Sequence, residues 1–117
     1  MAEDARGLQS HFDALVGTEW LDDHPEQARV RVPMREELRQ PAGLMHGGVM
    51  STLVESVCSR ATALTVLGDG MMAVGQSISV SFMRPITEGS VEVRDADERL
   101  CALAQMTIAV RPLPNKD

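Results

Sequence analysis

The feature of this sequence that most restricts its fold is a long, nearly uncharged run that begins at a His-Gly-Gly. Residues 46–67 read HGGVMSTLVESVCSRATALTVL, and Glu55 and Arg60 carry the only charged side chains. On a helix drawn over residues 48–66, apolar side chains cover nearly every side, and only a narrow stripe that includes Glu55 is polar. A surface helix would show a wide charged face. The pattern therefore predicts a helix that is buried nearly all round and wrapped by a sheet.

The segments on either side of this helix predict an α+β fold in one domain, residues 1–117. Runs in which polar and apolar residues alternate indicate strands, because successive side chains of a strand point to opposite faces. Gly68 is expected to end the helix as its C-cap. The other expected elements are a short helix at 5–15, strands at 17–21, 27–32, 71–83, 90–94 and 100–110, and a turn at 95–98. A buried helix followed by long antiparallel strands is typical of the α+β class.

The composition argues against several classes of protein. A formal net charge of -6 and a pI near 5.0 disfavour nucleic acid or an anionic membrane surface as a partner. Cys58 and Cys101 lie in apolar runs and make no disulfide framework, so we expect buried thiols. The first residues lack the apolar core of a signal peptide, and no apolar run reaches the ~20 residues of a membrane span. We therefore expect a cytoplasmic chain, and we expect no metal.

The residues before and within the helix carry polar groups suited to chemistry. Gly47 and Gly48 have no Cβ, so a substrate can approach the backbone closely there. The first amides of a helix have no partner within it and carry about half a positive charge, which suits a carbonyl oxygen that becomes an oxyanion. Gln40, held extended by Pro41, is expected to present its side-chain amide to the same region. Glu55 offers a carboxylate that can act as a nucleophile or as a base on water.

Burial and distance both single out Glu55. Burying an ionised carboxylate costs several kcal/mol unless a charged or hydrogen-bonding partner offsets the cost. Packing alone therefore does not explain why a glutamate stands at position 55 of a helix that is expected to be buried. Glu55 lies roughly 10–12 Å along the helix axis from the amides of Gly47 and Gly48, at ~1.5 Å per residue. A carboxylate must come within about 3–3.5 Å of the carbon that it attacks. A two-fold dimer that brings Glu55 of one chain to Gly47 of the other resolves this mismatch, and it predicts two shared sites per dimer.

Each feature also has a structural explanation when it is taken alone. A Gly-Gly pair at a helix start is most often structural, and His46 fits a capping residue better than a ligand or a base. The Ser and Thr hydroxyls of the helix, Ser59 among them, can bond back to their own helix. Glu55 alone fits a partly exposed or ion-paired carboxylate. The joint spacing, rather than any single residue, favours a functional site.

The segment QPAGLMHGGVMSTLVE, residues 40–55, resembles the hotdog-fold thioesterases of the PaaI and 4-hydroxybenzoyl-CoA thioesterase group. The resemblance is strongest to the Arthrobacter-type branch, which has a catalytic Glu on its central helix. It runs over residues 40–85, with weaker likeness at 100–111. Its specific set is the Gln, the His-Gly-Gly, the Glu nine residues after the His and a hydroxyl four residues later. The resemblance implies a hotdog fold, in which an antiparallel sheet wraps a long central helix.

The same resemblance implies an acyl-CoA thioesterase that acts on aryl or other bulky acyl groups. Gly47 N–H and Gln40 would polarise the thioester carbonyl, and Glu55 of the partner chain would attack it or activate the water that does. His46 would hold the carbonyl site in place. Ser59 stands where the group has a Thr that helps to place the hydrolytic water.

The resemblance also implies how the substrate is held and how the chain assembles. Gly48 would contact the substrate, and Arg84 and Arg111 match positions that grip the phosphates of coenzyme A. Coenzyme A would be part of the substrate, so no separate cofactor is expected. The implied assembly is a homodimer, with a homotetramer as the further expectation.

The chain departs from this group after Gly89, where it has room for about two strands instead of three. We therefore expect a shortened C-terminal sheet. The sequence does not define which residues would bind the coenzyme A phosphates in place of the missing segment. Two other functions also stay open: a hotdog module that binds acyl-CoA without hydrolysing it, and a hotdog hydratase or dehydratase. His46 and Glu55 supply residue types that the catalytic pair of the latter uses.

Overall fold

A long helix, α2, spans Gly47–Val66, and most of the strands pack against it. The computed structural model describes residues 10–22, 28–93 and 102–114. The other elements are helix α1 (His11–Val16), strands β1 (Glu19–Asp22), β2 (Arg29–Pro33), β3 (Met71–Phe82), β4 (Ser90–Val93) and β5 (Ala102–Pro112), and 3₁₀ turns at Glu36–Leu38 and Leu67–Asp69. These bounds confirm the predicted central helix and strands to within a few residues. The predicted turn at 95–98 and part of the first predicted helix lie outside the described residues.

The strands form two antiparallel sheets, and both contact α2. In the first sheet β2 lies between β1 and β4, and in the second β3 pairs with β5 along nearly its whole length. Helix α2 contacts β2 and β4 of the first sheet and both strands, β3 and β5, of the second. A central helix packed against antiparallel strands is the predicted α+β arrangement.

The two strands that follow Gly89 belong to different sheets. After Gly89 the described residues form β4 and β5, which pair with β2 and β3 rather than with each other. Each of these two strands therefore has one edge without a strand partner in the described part of the chain. The expected shortening of the C-terminal sheet stays a prediction, because residues 94–101 lie outside the described residues. Unpaired edges are surfaces at which strands of another chain can add.

The two charged residues of α2 lie in environments that the sequence did not predict. Leu53 of α2 and two valines of β2 are fully buried, but the helix is not buried all round, because Glu55 is exposed. The buried charged residue is Arg60, which is only 4% exposed and stacks on Trp20 with its guanidinium carbon 4.1 Å from the ring centroid. Contact with an aromatic face offsets part of the cost of burying a guanidinium. The expectation of a buried carboxylate is therefore wrong for the single protomer.

The C-terminal end of α2 also differs from the prediction. Leu67 is the C-cap in a right-handed conformation, and the chain continues into a 3₁₀ turn. Gly70, not Gly68, takes the left-handed conformation, with φ 73°, and its N–H donates to the Leu67 carbonyl at 3.0 Å. Two glycines flank Asp69 in the sequence, and the pattern alone does not distinguish which of them turns the chain.

Strand β3 runs along α2 in the opposite direction. Its last residue, Phe82, lies against Gly47 at the start of α2, while Gly75 faces Glu55 further along the helix. Gly75 and Phe82 are seven positions apart, and positions separated by an odd number point to opposite faces of a regular strand. A register shift between Gly75 and Ser77 adds one residue to β3. This bulge brings both positions to the face that contacts α2.

Candidate active site

An open cleft of about 670 Å³ lies at the N-terminal end of α2. Its wall contains Gln40, His46, Gly47, Gly48 and Arg84, which are five of the eight residues predicted from the sequence. The rest of the wall is mostly apolar and consists of Leu44, Met45, Met50, Ser51, Phe82, Met83, Pro85 and Ile86. The volume falls within the range of about 300–1,000 Å³ that is typical of small-molecule sites.

His46 is the N-cap of α2. Its ring Nδ1 accepts a hydrogen bond from the Gly48 N–H at 2.8 Å, so Nε2 is the ring nitrogen left to carry a proton in the neutral form. Its own N–H donates to the Leu38 carbonyl at 2.8 Å, which fixes the start of the helix to the first 3₁₀ turn. The structure thus shows the capping role that the sequence left open for His46.

The two glycines after His46 have different roles. A Cβ on Gly48 would lie 2.9 Å from His46 Nδ1, so the missing side chain lets the imidazole fold back onto the helix. The Gly48 amide is thereby occupied, and the Val49 amide donates to the His46 carbonyl. Within residues 10–22, 28–93 and 102–114 no acceptor contacts the Gly47 N–H. Gly47 therefore supplies the helix amide that remains for a bound carbonyl oxygen.

Phe82 covers Gly47 from the side of β3. A Cβ on Gly47 would lie 2.8 Å from the ring atom Cζ, so the ring fits there only because this residue is glycine. The Phe82 side chain is 54% exposed and forms a wall of the cleft beside the Gly47 amide. Phe82 was not predicted from the sequence as a site residue. Its position two residues before Arg84, at the end of the long strand, was the available signal.

The loop before α2 orients the side chain of Gln40. The Gln40 N–H donates to the Leu44 carbonyl at 2.7 Å, and the Gln40 carbonyl accepts from the Gly43 N–H at 2.9 Å. The side-chain Oε1 accepts from the Ala42 N–H at 2.5 Å. Because a backbone N–H only donates, the side-chain atom that faces it must be the oxygen, and the NH₂ group stays available. Gln40 is thus oriented as a donor, which is the polarity that a carbonyl oxygen requires.

Arg39 connects this loop to the segment that follows β3 by hydrogen bonds. This residue was not predicted from the sequence. Its Nη1 donates to the Gly43 carbonyl at 2.6 Å and to the Thr87 carbonyl at 3.0 Å. Its Nε lies 3.1 Å from Glu36 Oε2, and its Nη2 lies 3.7 Å from Glu88 Oε1. The guanidinium therefore holds together the two chain segments that border the cleft. No spacing in the sequence marks backbone carbonyls as partners of an arginine.

The other three predicted residues lie away from this cleft. Glu55 is exposed in the middle of α2, beside Gly75 of β3, and does not line the cleft. Ser59 is half-buried one turn further along the helix. Arg111 is exposed on β5, where it pairs with Met72 of β3. The structure thus separates Glu55 from Gln40 and Gly47, as the helix spacing predicts for one chain.

A buried carboxylate anchors the middle of α2 to α1. Asp13 is only 5% exposed and accepts a hydrogen bond from Ser56 Oγ at 2.5 Å, next to Glu55 in the chain. Its second carboxylate oxygen accepts from Ser10 Oγ at 2.8 Å, and Ser10 is the N-cap of α1. Four other helix hydroxyls bond back to their own helix, as Thr52 does to the Gly48 carbonyl at 2.8 Å; the others are Ser51, Thr62 and Thr65.

The described residues offer little else that is reactive. Burial raises the pKa of the half-buried Cys58 thiol, so the reactive thiolate is disfavoured at neutral pH. Cys101 lies outside the described residues. The described part of the chain contains no group of three or more His, Cys, Asp or Glu side chains that could hold a metal ion. None of its helices is long and apolar enough to cross a bilayer.

The segment that builds the cleft and carries Glu55 has a known family signature. Residues 42–96 match the Thioesterase superfamily. The match includes α2, β3 and β4, and therefore both the amide end of the helix and its exposed carboxylate.

Curated proteins similar to this chain are described as esterases and thioesterases. The putative esterase Rv1847 of Mycobacterium tuberculosis is 34% identical over 82 residues, which are 68% of this chain and 59% of that protein. The proofreading thioesterase EntH of Cronobacter turicensis is 34% identical over 76 residues, which are 65% of this chain and 55% of that protein. The chain thus spans somewhat more than half the length of these curated relatives.

Solved thioesterase structures share the fold. Thioesterase PA1618 of Pseudomonas aeruginosa, solved as a variant with one glutamine replaced by alanine, has a TM-score of 0.80 at 25% identity, over 95% of this chain and 94% of its own. Thioesterase HI1161 of Haemophilus influenzae has a TM-score of 0.80 at 22% identity, over 96% of this chain and 90% of its own. These likenesses confirm the predicted hotdog fold.

Proposed function

We propose that this chain is an acyl-CoA thioesterase of the Arthrobacter-type 4-hydroxybenzoyl-CoA branch, with two sites shared across a two-fold homodimer. The observation that carries the proposal is the division of polar groups along α2. Gln40 and Gly47 present donors at one cleft, while Glu55 lies exposed further along the helix and outside that cleft. Neither half is sufficient for hydrolysis alone, and a second chain in a two-fold arrangement supplies the missing half to each.

In the proposed reaction the thioester carbonyl oxygen binds between the Gln40 side-chain NH₂ and the Gly47 N–H. Both donors are held before substrate arrives, so they stabilise the developing oxyanion without reorganisation. The partner's Glu55 attacks the carbonyl carbon or takes a proton from the water that attacks it. The carbon–sulfur bond then breaks, and the thiolate of coenzyme A takes up a proton. If water attacks, the free acid forms in this step, and the proton that Glu55 accepted passes to the thiolate. If Glu55 attacks, the acyl group stays on Glu55 as a mixed anhydride, which water hydrolyses to the free acid and the restored carboxylate. His46 keeps the amide end in place, and Ser59 helps to place the water.

The proposed substrate has an aryl or other bulky acyl group. Three methionines line the cleft, and the flexible thioether side chain of Met adapts to ligands of different shape. Arg84 at the cleft wall and Arg111 on β5 are proposed to contact the phosphates of coenzyme A. Both side chains are exposed, which suits a charged group that stays partly in water.

The exposed residues of β3 support the proposed dimer. Ile78 and Phe82 lie on the face of β3 that contacts α2 and have exposed fractions of 39% and 54%, and Met83, directly after the strand, is 52% exposed. Several large apolar side chains exposed along one strand are typical of a surface that another chain covers. The pairing of such dimers into a homotetramer is part of the proposal.

The experiment is to follow thiol release from benzoyl-CoA with a thiol reagent, for the wild-type chain and for Glu55→Gln. We expect steady release from the wild type and at least a tenfold lower rate from the matched variant, which keeps size and hydrogen bonding but loses the charge. A blank with protein and reagent but no benzoyl-CoA accounts for the thiols of Cys58 and Cys101. Binding of benzoyl-CoA without thiol release would contradict hydrolysis and favour a binding module. Hydration of an unsaturated acyl-CoA would favour a hydratase.

A further inference from the structure

The face of β3 that contacts α2 leaves a gap beside the Glu55 carboxylate. A Cβ built on Gly75 would lie 3.6 Å from Glu55 Oε1 and 4.0 Å from Glu55 Cγ. The backbone of Gly75 is therefore the part of β3 that faces this carboxylate, and both residues are exposed. The methyl group of Met106 on β5 borders the same gap, since the added Cβ would lie 2.7 Å from Met106 Cε.

The backbone conformation of Gly75 does not explain why a glycine stands there. A positive φ is found at Gly17, Gly43, Gly70 and Gly89, but not at Gly75. A glycine inside a strand costs about 0.5–1 kcal/mol relative to alanine, so a stability argument alone would favour a side chain. Glycine within a strand often marks a bulge or the close approach of another group.

The bulge next to Gly75 turns this gap toward the carboxylate. Without the extra residue between Gly75 and Ser77, position 75 would point away from α2 while Phe82 kept its contact with Gly47. The bulge and the absent side chain therefore act together. One directs position 75 toward Glu55, and the other leaves the space there empty of side-chain atoms.

We propose that Gly75 controls access to Glu55 by leaving room for the thioester carbon, or for the attacking water, at the carboxylate oxygen. This inference rests on the proposed function. A reacting atom must come within about 3–3.5 Å of the carboxylate. A methyl group 3.6 Å from Oε1 would occupy the strand side of that approach, so Gly75 is a positioning residue that acts through the space it leaves.

The test compares Gly75→Ala with Gly68→Ala in the thiol-release assay. A Cβ on Gly68 would have no heavy atom within 4 Å, so this variant controls for adding a methyl group near α2. We expect Gly75→Ala to lower kcat at least tenfold and to change KM less than twofold, because a displacement of about 1 Å can cost 10²-fold. Thermal unfolding and dimer mass should match the wild type. The Gly68→Ala variant should keep wild-type kcat.

A double variant, Gly75→Ala with Met106→Ala, separates the two neighbours of the gap. We expect kcat to stay low, because the added methyl group still faces Glu55 when Met106 is shortened. Recovery to within twofold of wild type would overturn the inference, since the gap would then belong to Met106. A Gly75→Ala kcat within twofold of wild type would also overturn it. If the wild type itself releases no thiol, the proposed function fails, and this inference fails with it.

Discussion

The N-terminal end and the middle of α2 differ in how many of the proposed catalytic groups a single chain provides there. At the N-terminal end, His46 caps the helix, the Gly47 amide is left as a donor, and Gln40 is held in a loop by three hydrogen bonds. In the middle, Glu55 is exposed and faces a gap in β3. The first half is organised before any ligand arrives, whereas the second half carries a carboxylate that lies outside the cleft with the two donors.

This difference explains why the proposed site needs two chains. Helix geometry fixes a separation of roughly 12 Å between positions 47 and 55, at ~1.5 Å per residue, and no side-chain motion closes it. A two-fold axis makes the two halves complementary, because each chain offers the half that the other lacks. If this is right, the donors and the carboxylate have different roles in the reaction, and those of one site belong to different chains.

Removing the carboxylate should have the largest effect. We expect Glu55→Ala to lower kcat by about 10²–10⁴-fold or more, the usual contribution of an acid–base group. The free energy of unfolding of the protomer should change by less than about 0.5 kcal/mol, because the side chain is exposed. Steady-state kinetics and denaturant unfolding measure both quantities, with Asp69→Ala as a control for the loss of an exposed carboxylate. A fall in kcat below tenfold would rule out Glu55 as nucleophile or base.

Removing the side-chain amide of Gln40, at the N-terminal end of α2, should also lower kcat, but by less than the loss of Glu55. We expect Gln40→Ala to lower kcat by roughly 10²-fold, as the loss of one oxyanion donor does. Gln105→Ala on the exposed face of β5 is the matched control and should keep wild-type kinetics. If Gln40→Ala raises KM and leaves kcat unchanged, Gln40 only binds substrate, and the two ends of α2 differ less than we propose.

Mixing the two inactive variants tests the separate origin of the halves. After exchange of chains, about half of the dimers pair a Glu55→Ala chain with a Gln40→Ala chain, and one of their two sites has both residues intact. Activity should therefore recover to about a quarter of wild type. Native mass spectrometry confirms exchange. If both residues of a site came from the same chain, every site would keep a lesion and no activity would return.

Replacing the arginine at the cleft wall should have the smallest effect. We expect Arg84→Ala to raise KM by about two- to fivefold with little change in kcat, since exposed charge pairs contribute about 0.2–1 kcal/mol. The increase should shrink as salt is added. Arg111→Ala, on the exposed surface of β5, should raise KM by a similar factor, because Arg111 is proposed to contact the same phosphates. A change in kcat instead of KM for Arg84→Ala would assign that residue to the chemistry rather than to binding.

Much of the fold could be predicted because it rests on periodicity. The long alternation at 71–83 and the uncharged helical run located β3 and α2 to within about one residue. The bulge in β3 was not predictable, because polar and small residues around Gly75 alternate equally well in either register. The burial of Arg60 depends on Trp20, which lies 40 positions earlier in the chain, and no local pattern records that contact.

The residues of the candidate site likewise include some that the sequence predicts and some that it does not. Gln40, His46, Gly47 and Gly48 were predictable because their chemistry is local to one loop and one helix start. Phe82 and Arg39 were not, since the first acts through a glycine far away in sequence and the second binds backbone carbonyls. The exposure of Glu55 was predicted wrongly because most residues around it in the sequence are apolar. They line other sides of the helix.

The bulge in β3 also determines where this strand can change in length. Loss of one residue between Gly75 and Phe82 would turn one of these two positions outward and remove its contact with α2. Loss of one residue before Gly75 would leave both contacts intact and only shorten the turn that follows the helix. We therefore expect variants that arise by insertion or deletion, in nature or in a library, to be tolerated at the start of β3 and rejected between these two residues.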